Sequence, residues 1–70
     1  MSSWHIDVNT RDQIDRLAVL VEEWPGDVPV FMHARGRSQQ LSRRVAPDVR
    51  LRSELERIFG SGSVREAFDA

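Results

Sequence analysis

Apolar positions along the chain recur with two different periods. Between residues 14 and 24, and again between residues 51 and 59, they recur three and four positions apart, which predicts two amphipathic helices. Apolar and polar residues alternate over residues 4–8, which is typical of a half-buried strand. Residues 28–33 predict the most apolar strand, with Val28, Val30 and Met32 on one face and Phe31 and His33 on the other. A shorter alternation from Val64 to Phe68 predicts a final strand.

Residues at the segment ends support these boundaries. Thr10 and Gln13 have the spacing of a capping box before the first helix. Asp48 suits the N-cap of the second helix, although Pro47 in its first turn would shift the start earlier, and Gly60 suits its C-terminal end. After the first helix, Gly26 is expected to adopt a positive φ in a sharp turn.

The middle of the chain predicts a β-hairpin. Gly36 favours a tight turn at its tip, followed by a polar strand over about residues 38–45 whose main apolar residue is Leu41. Pro29 lacks an amide donor, so it belongs at a strand start or on a sheet edge.

The resulting element order is strand, helix, strand, strand, helix, strand. It predicts an α+β fold of the βαββαβ ferredoxin-like (split βαβ) type, an antiparallel sheet with both helices on one face. The other face would be open to solvent or to a partner. We interpret residues 1–3 as a polar lead-in or an expression remnant, and residues 4–70 as one small domain. The predicted core is Ile14, Leu17, Leu20, Val21, Trp24, Val30, Met32, Leu51, Leu55 and Ile58.

Composition narrows the function classes. With 70 residues the core is thin, and the absence of cysteine excludes disulfides and thiolate metal sites. Two histidines cannot form a zinc site alone, so no metal or cofactor is expected. The net charge of −1 gives no global basic field for nucleic acid. No apolar run approaches the roughly 20 residues of a membrane span, so we expect a cytoplasmic protein without membrane contact.

The sequence predicts no catalytic constellation. Serine, histidine and aspartate are present, but nothing in the sequence places them together, and His5 and Asp7 are expected to face outward. Phe31 and His33 share the predicted open face and are candidate partner contacts. A candidate basic strip, which either protects an exposed strand edge or binds phosphate or an acidic surface, comprises Arg35, Arg37, Arg43 and Arg44.

The run from residue 19 to residue 32 carries a family resemblance. Its helix ends in a Pro-Gly-Asp-Val-Pro-Val turn that leads into a strand, and a basic hairpin, a helix over residues 47–60 and a short strand from Val64 follow. Together these features resemble the C-terminal domain of the bacterial replicative DNA polymerase III alpha subunit, over about residues 4–68. The second hairpin strand is more polar than in that family. An excised domain of a larger polymerase chain is the expected origin, with a free-standing paralogue as the alternative.

The resemblance implies a non-catalytic role in DNA replication. In that family the carboxylates of the DNA-directed DNA polymerase, a nucleotidyltransferase, lie in upstream domains, and the C-terminal region contributes to contact with the tau subunit of the clamp loader. We therefore expect a monomeric interaction domain that docks to a replisome protein such as tau. The alternative is an accessory single-stranded nucleic-acid-binding module that uses the arginine hairpin, with weak nucleic-acid contact.

Overall fold

The computed structural model describes residues 2–68. In chain order the elements are β1 (Ser2–Asp7), α1 (Arg11–Glu23), β2 (Pro25–Ala34), β3 (Arg37–Val45), α2 (Val49–Phe59) and β4 (Val64–Phe68). A single 3-10 turn, Ser61–Ser63, precedes the last strand. The βαββαβ order and the α+β class are as predicted, including the short final strand.

The four strands form one mixed sheet in the order β3-β2-β1-β4. The two outer pairs are antiparallel, whereas β1 and β2 are direct neighbours and run parallel. The sheet therefore differs from the prediction of a wholly antiparallel one, and no strand separates β1 from β2 as in a split βαβ unit. A physical reason is that β1 and β2 are the most apolar strands. They take the central positions, and the polar β3 takes an edge.

The register of β1 and β2 assigns a face to every residue. Trp4 pairs with Val30 and Ile6 with Met32 on the face that carries the helices. Leu17, Leu20 and Val21 of α1 and Leu51, Leu55 and Phe59 of α2 join them in one buried cluster, completed by Val8, Val28, Val45 and Val64. Of the ten predicted core residues, six are buried, and four are partly buried against the cluster: Ile14, Trp24, Met32 and Ile58.

Both helices begin at the predicted N-caps, and α2 ends at the predicted Gly60. Thr10 Oγ1 accepts from the Gln13 amide at 3.2 Å, and the Gln13 side chain accepts from the Asn9 amide at 2.6 Å, one residue earlier than a standard capping box. Asp48 caps α2 by accepting from the Arg50 amide at 2.8 Å, so Pro47 lies before the helix. The Gly60 amide donates to Glu56 O at the C-terminal end, with a φ of 94°.

Two predictions for the start of β2 are corrected. Gly26 is not among the positive-φ residues. It is required instead by close packing, because a Cβ there would overlap the backbone of Val45 and Ala46. Pro29 lies inside a central strand and not at an edge, but the register with β3 shifts immediately after it. Such an irregularity accommodates a residue without an amide donor.

Candidate functional site

The open face of the sheet carries an aromatic cluster. His5 pairs with Phe31 in the β1–β2 register, and their rings stack with centroids 5.0 Å apart and an interplanar angle of 9°. The His33 ring lies 5.0 Å from that of His5. All three side chains are partly buried, although no helix covers this face. The two candidate contact residues, Phe31 and His33, therefore lie on the open face and are joined there by His5.

A chain of hydrogen bonds crosses the sheet through the two histidines. His5 Nε2 lies 3.0 Å from Ser3 Oγ, and His5 Nδ1 lies 2.8 Å from His33 Nε2. His33 Nδ1 then lies 2.7 Å from Ser38 Oγ on β3. Each of these side chains thus has a neighbour on the next strand or two residues away. We call this chain of Ser3, His5, His33 and Ser38 the histidine relay.

The relay has two possible polarities. When both rings are neutral, one proton lies between His5 and His33, and every hydrogen bond then points in the same direction along the chain. One further proton is accommodated, because a charged ring still donates to a neutral neighbour. Two further protons would put an N–H on both facing nitrogens and break the 2.8 Å contact. The contact therefore requires an N–H on only one of the two facing nitrogens.

The relay brings together a serine and two histidines that no pattern in the sequence places near one another. Ser38, His33 and His5 follow the hydrogen-bond order of a nucleophile, a base and an orienting group. The carboxylate is engaged elsewhere, because Asp7 Oδ1 accepts from Arg65 at 3.0 Å. Ser38 is exposed on an edge strand, where water is not excluded from it. The arrangement fits binding better than catalysis.

A polar pocket of about 470 Å³ lies where the relay meets the hairpin tip. Its lining includes His33 and Ser38 of the relay, together with Asp7, Asn9, Arg35 and Arg37. We call it the hairpin pocket. It is the place at which the relay, the turn and the end of β1 converge.

The turn that forms one wall of this pocket has an unusual residue in its first position. Arg35 and Gly36 have φ values of 52° and 78°, the signature of a two-residue type I′ hairpin turn. Asn, Asp or Gly normally occupies the first position, because other side chains are strained at positive φ. The predicted hairpin is therefore present, with an arginine where the backbone would favour a smaller residue.

The four arginines of the candidate basic strip are all exposed, but they do not form one continuous strip. Arg43 pairs with Glu22 of α1 at 3.7 Å, which places it on the helix side of the sheet. Strand alternation places the adjacent Arg44 on the open face. Within the described part of the chain, Arg35, Arg37 and Arg44 have no ion pair. The two arginines of the hairpin pocket are therefore available to a ligand.

Two ion pairs lie at α2, on the helix-covered side of the sheet. The hydrogen bond from the Arg50 guanidinium lowers the pKa of Asp48, and the one from Arg57 lowers the pKa of Glu54. These carboxylates stabilise the helix ends and surface, and they lie apart from the relay and the hairpin pocket.

Residues 2–68 contain neither a metal-binding cluster nor a membrane-spanning helix. No group of three or more His, Cys, Asp or Glu side chains there could hold a metal ion. Neither α1 nor α2 is long and apolar enough to cross a membrane.

Sequence analysis missed Ser3, His5 and Ser38 as functional candidates. Their local signal is weak: a serine two residues before His5 and another five residues after His33. Only the parallel pairing of β1 with β2, and the pairing of His33 with Ser38, brings the four side chains together.

Comparison of the chain with protein-family models, with curated proteins and with solved structures finds no match.

Proposed function

We propose that this chain is a non-catalytic interaction domain that docks a protein partner on the open face of its sheet. The family resemblance adds the expectation that it is the C-terminal domain of a DNA polymerase III alpha subunit, with a replisome protein such as the clamp-loader tau subunit as the partner. The parent polymerase chain would carry the nucleotidyl-transfer chemistry.

The observation that carries this proposal is the aromatic cluster of His5, Phe31 and His33. Stacking and hydrogen bonds on both sides of the histidines hold the rings in place before any partner arrives. A preorganised anchor loses little side-chain entropy on binding. Aromatic side chains are also enriched among the residues that dominate interface energies.

The relay and its surroundings provide the polar part of such a surface. Ser38, Gln40 and Arg65 are exposed around the cluster, which gives an apolar centre with polar groups at its margin. No helix covers the open face of the sheet, which leaves room for a partner to pack against that face.

The test is a calorimetric titration of the purified domain with the tau subunit. Phe31→Ala should weaken binding at least tenfold, because it removes the ring on which His5 stacks. Phe68→Ala is the matched control. Phe68 is 76% exposed, but its position on β4 places it on the helix-covered side of the sheet and not on the open face. The Phe68→Ala variant should therefore bind tau with the affinity of the wild type.

Circular dichroism of both variants would verify that the fold is retained. Equal affinity of the Phe31→Ala variant and the wild type would contradict docking on the open face. Absence of tau binding by the wild-type domain would contradict the expected partner.

The second candidate is an accessory single-stranded nucleic-acid-binding module. The observation that favours it is the exposure of Arg35, Arg37 and Arg44 without ion pairs in the described residues. Contact of these three arginines with phosphates predicts a log–log salt slope of about −2 for single strands.

A salt series distinguishes this candidate from protein docking. Replacing Arg35, Arg37, Arg43 and Arg44 with glutamine should leave the fold intact, because their side chains are exposed. If oligothymidylate binds tightly, with a steep salt slope that this variant abolishes, the nucleic-acid function is supported over docking.

A further inference from the structure

We infer that the hairpin pocket is a binding site for a single carboxylate, supplied by an acidic side chain of the docked protein partner. This inference extends the proposed function and depends on it for one point, namely that the carboxylate belongs to the docked protein partner. The pocket adjoins the aromatic cluster through His33, so one partner segment can occupy both.

The charge balance of the pocket favours an anion. Its one carboxylate, Asp7, is neutralised by the 3.0 Å contact with Arg65. Arg35 and Arg37 line the same pocket and have no ion pair in the described residues, so two positive charges are left uncompensated. Arginine binds carboxylates through two parallel N–H donors, which makes it well suited to this role.

The histidine relay adds a further donor. In one polarity His33 Nδ1–H donates to Ser38 Oγ, which leaves the serine O–H free to donate into the pocket. In the other polarity Ser38 donates to His33 and has no proton to offer. An anion against Ser38 therefore selects the first polarity along the whole relay.

The backbone at Arg35 supports a role for its side chain. A φ of 52° is costly for an arginine, whereas asparagine or glycine adopts it readily. Residues held in unfavourable backbone conformations are concentrated at functional sites. The strain is accounted for if the guanidinium is needed at this point of the pocket.

The distribution of charge favours a carboxylate over a nucleic-acid backbone. A polynucleotide presents a row of phosphates and is best matched by a continuous basic strip. Here Arg43 is turned to Glu22 on the other face, and the chain as a whole has a net charge of −1. Two arginines around one pocket instead suit one discrete anion.

The experiment is an NMR titration of the ¹⁵N-labelled 70-residue domain with the capped peptide acetyl-Gly-Glu-Gly-amide, which carries one carboxylate. We expect amide shifts at Asn9 and at residues 35–38, and none with the glutamine counterpart of the peptide. Arg37→Gln should weaken the affinity about tenfold through the loss of a charge-assisted hydrogen bond. Arg43→Gln is the matched control on the same strand and should leave the affinity unchanged.

Arg35→Asn separates binding from stability. Asparagine relieves the backbone strain, so the Tm should rise, while the loss of the guanidinium should weaken peptide binding. Unchanged affinity in both the Arg35→Asn and Arg37→Gln variants would overturn the inference. Equal shifts with the glutamine peptide, or tighter binding of oligothymidylate at the same residues, would also overturn it.

The two proposals fail in distinguishable ways. If the Arg37→Gln domain binds tau as the wild type does while Phe31→Ala abolishes binding, docking stands and the pocket has no part in it. If the acidic peptide binds at residues 35–38 while tau does not bind at all, the pocket stands as an anion site and the proposed partner is wrong.

Discussion

The two faces of the same sheet are stabilised in different ways. On the helix-covered face, Ile6 and Val30 are 0% and 1% exposed and pack among aliphatic side chains. On the open face, the residues next to them along the strands, His5 and Phe31, stack, and His5 is also hydrogen-bonded to Ser3 and His33. Burial of apolar area is non-directional, whereas hydrogen bonds require particular atoms at particular distances.

This difference indicates how each face responds to change. The covered face should lose stability in proportion to the volume removed and should tolerate changes of side-chain shape. The open face should lose little stability but should lose the orientation of its rings when one nitrogen is replaced. Stability is therefore expected to depend mainly on the covered face, and the orientation of the aromatic rings on the hydrogen bonds of the open face.

The largest effect is expected from Leu55→Ala, on the covered face. Leu55 is 2% exposed at the centre of the core, so its truncation should cost about 2–5 kcal/mol. A domain of this size usually has about 3–5 kcal/mol of net stability, so much of the protein should unfold. Urea denaturation followed by circular dichroism measures the loss.

Val19→Ala is the control for that measurement. Val19 lies on α1 but is 54% exposed, so the free energy of unfolding of this variant should stay close to that of the wild type. A Leu55→Ala variant as stable as Val19→Ala would show that the core does not depend on α2.

A smaller effect is expected from breaking the contact between the two histidines. His5→Phe retains a ring to stack on Phe31 but loses the nitrogen that meets His33, and should cost about 1 kcal/mol. A double-mutant cycle with His33→Phe should give a coupling energy of similar size at neutral pH.

A coupling energy of zero would show that the 2.8 Å contact has no energetic role.

The smallest effect is expected from Asp48 on the exposed surface of the helix layer. Arg50 lowers the pKa of this carboxyl below its ordinary value of 3.8. Its contribution to stability is therefore fully present above that value and is lost as the pH falls through the folded-state pKa. Asp48→Asn retains a capping oxygen without the charge, so the small Tm difference from the wild type should vanish in strong acid.

Thermal melts of both proteins at neutral and strongly acidic pH provide the measurement. A Tm difference that grows on acidification would mean that the ionised carboxyl destabilises the helix, in contradiction of its lowered pKa.

Local patterns were sufficient for the elements and for the apolar side of each one. Helical spacing, the caps at Thr10 and Asp48, and strand alternation each depend on residues a few positions apart, so they can be recognised in one sequence. For the same reason, alternation along β2 was enough to assign Phe31 and His33 to one face, opposite Val30.

Only the tertiary structure decided which strands are neighbours and which side chains meet. His5 and His33 are 28 residues apart, and their contact exists because β1 and β2 pair in parallel in one register. A slip of one residue would turn every side chain of a strand to the other face, and strand alternation alone does not specify the partner. The sequence by itself therefore determined the elements and their faces, whereas the histidine relay and the hairpin pocket follow from pairing between distant segments.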